Sequence, residues 1–186
     1  MILGIKEDSQ WLIGMVENLL SITRIDSGSV ELIKTPTVLD ELIDSVILKF
    51  KKRYPERCVE LDIPNDVVII PMDAILIEQV IINILENAIH HAKGLTRLLL
   101  RVFTIDNKAI FEIADNGCGI PIEKLDRIFT GYNDKEENAS DTQVRNAGIG
   151  LSVCATIVKA HGGDITAENT NGGGAVFRFS LTTEDA

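Results

Sequence analysis

Aromatic residues are scarce in this chain, at 5% of 186 residues, and cysteines scarcer: Cys58, Cys118 and Cys154 stand far apart with no Cys-x-x-Cys pair. That odd number and wide spacing exclude a disulfide framework and a zinc site, and suit a reducing compartment. Long hydrophobic runs are also lacking. No apolar stretch approaches the roughly 18 residues of a membrane span, and no signal peptide precedes the first helical pattern. The chain as given is therefore expected to be cytoplasmic. Positive charge is the third shortage. Eighteen basic residues against 28 acidic ones leave a net charge of −10, and no basic cluster stands out. No nucleic-acid partner is expected, and the acidity is read as serving solubility. What is left, at 45% hydrophobic and 25% charged, is an ordinary globular composition on a chain long enough to bury a core.

Residues 5–26, "IKEDSQWLIGMVENLLSITRID", put Leu12, Val16, Leu19 and Thr23 at helical spacing before Ser27-Gly28-Ser29 closes the pattern. Such a stripe must be covered by another helix, as in a helix that dimerises. After the extended piece "SVELIK", Thr37 and Asp40 are expected to cap a second helix carrying Leu39, Leu42, Ile43, Val46 and Phe50. "CVELDIP" and "DVVII" read as short strands around Pro64-Asn65, and a long helix over 74–92 follows Asp73. "TRLLLRVFTID" and "AIFEIAD" predict a hairpin about Asp106-Asn107-Lys108. Residues 121–129 predict a short helix with Pro121 in its first turn. A polar stretch over 130–146 is long enough to be functional or disordered. A helix over 149–160 should end at His161-Gly162-Gly163, and "DITAEN" and "AVFRFSL" predict two strands joined across "TNGGG". Helices alternating with hairpins predict an α+β fold with a helix layer on a mostly antiparallel sheet.

Four features ask for a common explanation. Asn83 and Asn87, at i and i+4, lie on one helix face with His90 one turn further. Asn is a poor interior helix former, so the pair is either exposed polar surface or functional. "DNGCGIP" at 115–121 reads as a turn, because Asn and Gly accept positive φ and Asp bonds its own backbone. Gly148-Ile149-Gly150-Leu151 places glycines where a helix is expected to begin, a position whose free N–H groups suit an anion. Gly172-Gly173-Gly174 reads most simply as a tight hairpin.

Their order supplies the explanation. "EQVIINILENAIHHA", "DNGCGIP", "RIF", "NAGIGLSVCATIVKAHGG" and "GGGAVFRFSL" resemble, in sequence, the N, G1, F, G2 and G3 boxes of sensor histidine kinases of two-component systems. "MVENLLSITRIDSG" resembles the second helix of that family's dimerisation domain, and "SQWLIGMVENLLSITRIDSG" is similar to potassium-sensing members. The resemblance implies a two-layer α/β sandwich of the Bergerat ATP-binding (GHKL) type, with a mixed, mostly antiparallel sheet. It implies one partial dimerisation helix over 1–30 and a catalytic ATP-binding domain over 31–186. The implied ligands are ATP and Mg²⁺. The implied partners are a phosphoacceptor-His domain of the same receptor, a response regulator and, in the full-length protein, a second copy. Contact with a membrane would come only through other regions of the receptor.

By the same resemblance Asn87 would ligate Mg²⁺ through its amide oxygen, and Asn83 would support the phosphate or metal side of the helix. Asp115 would accept the exocyclic amine of adenine. Gly117 and Gly119 would let the backbone approach the purine, with Ile120 packed beside it. Gly148, Ile149, Gly150 and Leu151 would flank the phosphates, under a lid over 130–147. His90 and His91 stand where family members often have Lys and an aromatic ring. After "RIF" the expected Glu-Pro-Phe and Arg are replaced, and Lys135 or Arg145 could supply the missing cation. No histidine fits the phosphoacceptor, because His90 and His91 sit in the binding helix and His161 in a turn. Two other readings compete: an ATPase of the same superfamily, which would need a Glu in place of Asn83 to activate water, and a degenerate nucleotide-binding module. Glu86, about 60° around the helix from Asn83, is a poor substitute for that base.

Overall fold

A computed structural model describes residues 32–130 and 142–184. The helix expected over 5–26 lies outside them, as does most of the stretch expected to form a lid. The described elements are β1 (Thr35–Val38), α1 (Leu39–Arg53), β2 (Glu60–Asp62), β3 (Ile69–Met72), α2 (Ala74–His91), β4 (Leu98–Ile105), β5 (Lys108–Asp115), α3 (Ile122–Leu125), α4 (Thr142–Ala160), β6 (Ile165–Asn169) and β7 (Ala175–Thr182).

Five strands form one sheet in the order β2-β4-β5-β7-β6, and β1 pairs with β3 in a separate two-stranded ladder. Only the β2–β4 pairing in the larger sheet is parallel. The strict alternation in β5 and β7 sends Ala109, Phe111, Ile113, Ala175, Phe177, Phe179 and Leu181 to the buried face. Phe111 and Phe179, paired in register, stack with centroids 4.6 Å apart. Against this face pack α1, through Leu42, Val46 and Phe50, α2, through Ile77, Val80, Ile81, Ile84 and Leu85, and α4, through Leu151, Ile157 and Val158. The other face carries a row of alternating charges: Asp62, Arg101, Glu112, Arg178 and Glu168 are ion-paired across all five strands. One face is thus committed to the helices and the other to water, which is the α+β sandwich expected.

Two local expectations change. Thr37 does not cap α1. It belongs to β1, its Oγ1 donates to the Thr35 carbonyl, and the helix opens at Val38 without a side-chain cap. Pairing of 35–38 with 69–72 holds Thr37 extended, and the Leu39 N–H is satisfied by the Val68 carbonyl instead. The strands expected on either side of Pro64-Asn65 both form, β2 beside β4 and β3 beside β1. Finally, α4 starts at Thr142, well before the glycines expected to open it.

The long helix α2 matches its expected span, and Asp73 caps it by accepting from the N–H groups of Ile75 and Leu76. A second tie fixes its start. Buried His161, just beyond α4, accepts from the Asp73 N–H through Nε2 at 3.1 Å, while Nδ1 donates to the Ile157 carbonyl at 2.8 Å.

Candidate nucleotide-binding site

The C-terminal half of α2 and the turn after β5 enclose one pocket, lined by Asn87, Ala88, His91, Ala92, Asp115, Gly119, Ile120, Ala175 and Phe177. Helical periodicity explains the α2 contribution, since 87, 88, 91 and 92 recur on one face. The strand period explains Asp115: it occupies an inward position of β5 at the point where pairing ends, so its carboxylate is carried under the helix layer. Asp115 is only 9% exposed. Its Oδ1 accepts from the Gly117 N–H at 2.8 Å, the turn read from the sequence. No described residue donates to Oδ2. The turn therefore holds the carboxylate by one oxygen and leaves the other to the pocket.

Close backbone approach accounts for two glycines here. A Cβ on Gly117 would stand 2.6 Å from Ala92 Cβ, so only glycine lets the turn lie against the end of α2. A Cβ on Gly174 would stand 2.0 Å from the Asp115 carbonyl oxygen, at φ +92°. The triple glycine is thus more than a hairpin: its last member lets the start of β7 run against the base of the turn.

Two asparagines that sequence reasoning did not single out brace this turn. Asn116 Oδ1 accepts from the N–H groups of Thr96 and Arg97 at 3.0 and 2.8 Å, and its Nδ2 donates to Thr96 Oγ1 at 2.8 Å. Asn169 holds Ile120 from the other side through two hydrogen bonds. Adjacent Asn-Gly already signalled a turn, which masked the separate work of the Asn116 carboxamide. Nothing local to Asn169 signals its bond, because the partner is distant in sequence.

The expected site residues divide into three groups. Asn87, His91, Asp115, Gly119 and Ile120 line the pocket together, with Gly117 in the turn behind them. Burial, helped by the charges of His90 and Lys124, pushes the His91 pKa below the usual histidine value. Near neutral pH its ring is therefore uncharged, as suits a flat wall for a base. Lys124 is a cation beside the pocket that the sequence did not flag; Lys135 and Arg145, proposed for that role, have no described side chains.

His90 is not part of the pocket lining. Its Nε2 lies 3.1 Å from the Tyr54 hydroxyl, with the rings edge to face, because successive helix positions point about 100° apart. Asn83 also turns elsewhere, toward α4. It shares a hydrogen bond with the thiol of fully buried Cys154, whose pKa burial raises to about 12. Gly150 faces it, since a Cβ there would reach Asn83 Cγ at 4.0 Å. Gly148, Ile149, Gly150 and Leu151 lie inside α4 rather than at its N-terminus, and Leu151 is buried in the core. Residues 142–147 extend the helix upstream, so the N–H groups expected to meet a phosphate are directed along the helix.

As a container for a purine the pocket fits in chemistry more than in volume. It encloses about 30 Å³, room for little more than a water molecule, so the half-buried walls at His91 and Ile120 must part. The donor set suits adenosine phosphates and magnesium: a carboxylate acceptor, a flat uncharged ring, apolar Ile120 and Phe177, and the hard amide oxygen of Asn87. Glu86, the acidic side chain nearest the expected position of an ATPase base, is ion-paired with Arg53 of α1 and is absent from the pocket lining.

Residues 72–185 match the family model for histidine kinase-, DNA gyrase B- and HSP90-like ATPases. Among curated proteins the chain is 37% identical over 97% of its length to the sensor protein KdpD of Clostridium acetobutylicum, and 32% over 92% to KdpD of Escherichia coli. It is 34% identical over 90% to the adaptive-response sensory kinase SasA of Trichormus variabilis. The chain spans 20% and 19% of the two KdpD proteins and 42% of SasA. Among solved structures, the catalytic domain of histidine kinase ThkA superposes with a TM-score of 0.66 at 27% identity, covering 81% of this chain and 95% of that one. Histidine kinase AdeS of Acinetobacter baumannii shares the fold, with a TM-score of 0.74 at 23% identity over 99% of this chain and 84% of that one. The chain belongs to the histidine kinase-, DNA gyrase B- and HSP90-like ATPase family, as the ATP-binding catalytic domain of a sensor histidine kinase.

Proposed function

We propose that this chain binds Mg-ATP at the α2–β5 pocket and donates the γ-phosphoryl group to a histidine of a phosphoacceptor domain that is not among its own residues. The observation that carries this reading is the convergence of Asn87, His91 and Asp115, distant in sequence, on one pocket. Asp115 Oδ2 accepts the exocyclic amine of adenine; the carbonyl of a 6-oxo purine would present an acceptor to an acceptor. Asn87 would hold Mg²⁺ through its amide oxygen, and the ion would supply neutralisation of phosphate charge. Asn83 and the Gly148–Gly150 stretch would flank the phosphates, beyond the pocket lining. Phosphoryl transfer asks a protein mainly for positioning and charge stabilisation, so the donor side needs binding groups rather than a general base.

In this reading residues 31–186 are the catalytic module and 1–30 part of a dimerisation helix. The whole receptor is a homodimer that passes the phosphoryl group to a response regulator. The module works on the cytoplasmic side, and any membrane attachment comes through other regions. Among the described residues of α2 the ATPase alternative finds no base: Asn83 is an amide, and Glu86 is engaged by Arg53.

Calorimetric titration tests the reading. ATP and ADP should bind in a Mg²⁺-dependent manner and GTP weakly. Asp115→Ala should lose roughly 1.5–3 kcal/mol of ATP affinity, the scale of a hydrogen bond to a charged group. Equal affinity for ATP and GTP, or an Asp115→Ala variant that binds like the parent, would overturn it.

A further inference from the structure

Asn169 closes β6, outside the pocket lining, yet it grips the pocket wall. Its Oδ1 accepts from the Ile120 N–H at 2.7 Å, and its Nδ2 donates to the Ile120 carbonyl at 2.7 Å. A carboxamide paired both ways with one residue's main chain acts as a strand neighbour would. Ile120 itself lines the pocket with Asp115. The consequence is chemical as well as mechanical, because both polar main-chain groups of Ile120 are consumed and neither is offered to a ligand. Two nearby groups are withdrawn in the same way. The Gly117 N–H is spent on Asp115 Oδ1, and the Asn116 carboxamide on Thr96 and Arg97. Among the polar side chains of the turn, the Asp115 carboxylate is the one left facing the pocket, and it can only accept.

We propose that Asn169 is a specificity-determining positioning residue: by holding the N–H and carbonyl of Ile120 it keeps a donor away from the base edge, so that a purine with an exocyclic amine is accepted and one with a carbonyl refused. Discrimination then comes from a missing donor as much as from the acceptor present. A freed Ile120 N–H would offer the carbonyl of a 6-oxo purine the partner that the wild-type wall denies it. The proposal rests on the reading of Asp115 as the base-binding carboxylate.

The test titrates MgATP and MgGTP into the intact chain and into Asn169→Ala, Asn169→Ser, Asn169→Asp and Asp115→Ala, with hydrogen exchange followed at the Ile120 amide. Asn169→Ala should expose that amide to exchange and reduce the ATP-over-GTP affinity ratio about tenfold, the scale of one hydrogen bond gained by the wrong base. Asn169→Ser, too short to bridge both groups, should behave the same way and carries the test if the alanine variant does not fold. Asn169→Asp retains the acceptor for the Ile120 N–H and should keep the ratio near that of the parent. A faster Ile120 amide with an unchanged ratio in the Ala or Ser variant would overturn the proposal while leaving the Asp115 reading intact. Unchanged ATP affinity in Asp115→Ala would remove both.

Discussion

His161 is 2% exposed and uses both ring nitrogens, which fixes its protonation state. Nδ1 carries the proton donated to the Ile157 carbonyl, and Nε2 must be bare to accept from the Asp73 N–H. A second proton would set two donors against each other at the corner where β3 enters α2. Burial is the main force holding the pKa below the ordinary histidine value. The Lys34 charge adds to it, while the Ile157 bond and Asp73 oppose it. His91 is shifted in the same direction, again mainly by burial. The sign follows: the unfolded chain takes up protons near pH 6.5 while the folded one resists. Their contribution to stability is complete above that pH and is lost as pH falls toward the depressed folded values. Urea unfolding should therefore give a lower free energy at pH 5.5 than at 7.5. His161→Gln should cost about 1–3 kcal/mol at pH 7.5 for its lost buried hydrogen bonds, and should flatten the pH dependence. An unchanged slope in the variant would place the titration elsewhere. At this scale the sequence was informative about Asp115, whose turn is written in its neighbours, and silent about His161, whose partners are brought together only by the fold.

Among the elements, α4 departs most from expectation and makes the sharpest prediction. Gly148 and Gly150 lie within the helix, where each glycine costs about 1 kcal/mol relative to alanine. This stretch of α4 is thus held by weak local preference, and in the proposed reading a phosphate would have to draw on N–H groups that the helix now directs along its axis. Replacing Gly150 by alanine adds a Cβ that meets Asn83 Cγ at 4.0 Å, an ordinary contact. Gly150→Ala should therefore raise nucleotide-free stability by roughly 0.5–1 kcal/mol while weakening MgATP. Chemical unfolding paired with calorimetry reads both. A variant that gains stability and binds MgATP as the parent does would show that the Gly150 backbone has no part in the phosphate site. The legible elements were those whose pattern is local: β4 and β5 alternate around Asp106-Asn107, and α2 follows its cap at Asp73. Strand partners were not legible. Nothing in "CVELDIP" distinguishes a hairpin with "DVVII" from a parallel place beside β4, because the parallel partner is reached only through the long crossover that contains α2. Thr37 misled for the same reason, as a good capping sequence drawn instead into a ladder with 69–72.

At the scale of the molecule, the layers decide which chemistry the chain can complete. Among the described residues, one sheet face is covered by helices that build the pocket and the other presents paired charges, so the pocket belongs to the helix layer. The sequence holds three histidines, and the fold commits each of them. His90 faces Tyr54, His91 forms part of the pocket wall, and His161 is buried with both nitrogens engaged. Transfer of the γ-phosphoryl group needs a nucleophile in line with it and free to receive a dianion. A wall residue, a buried corner and an exposed ring turned out of the pocket onto Tyr54 offer no such approach. Incubated with γ-labelled ATP, the chain alone should acquire no acid-labile label. Adding a separate dimerisation domain that bears the family's phosphoacceptor histidine should place the label on that domain, because here the protein supplies position and charge rather than a covalent intermediate. Asp115→Ala should cut the transfer by roughly sevenfold or more at ATP concentrations near the parent's dissociation constant and recover it at high ATP, the signature of lost binding rather than lost chemistry. Acid-labile label on the chain alone would make one of its three histidines an acceptor and break the argument from geometry. Steady phosphate release with no labelled protein would return the site to the ATPase branch of the family, with a water-activating group that neither Asn83 nor Arg53-bound Glu86 provides.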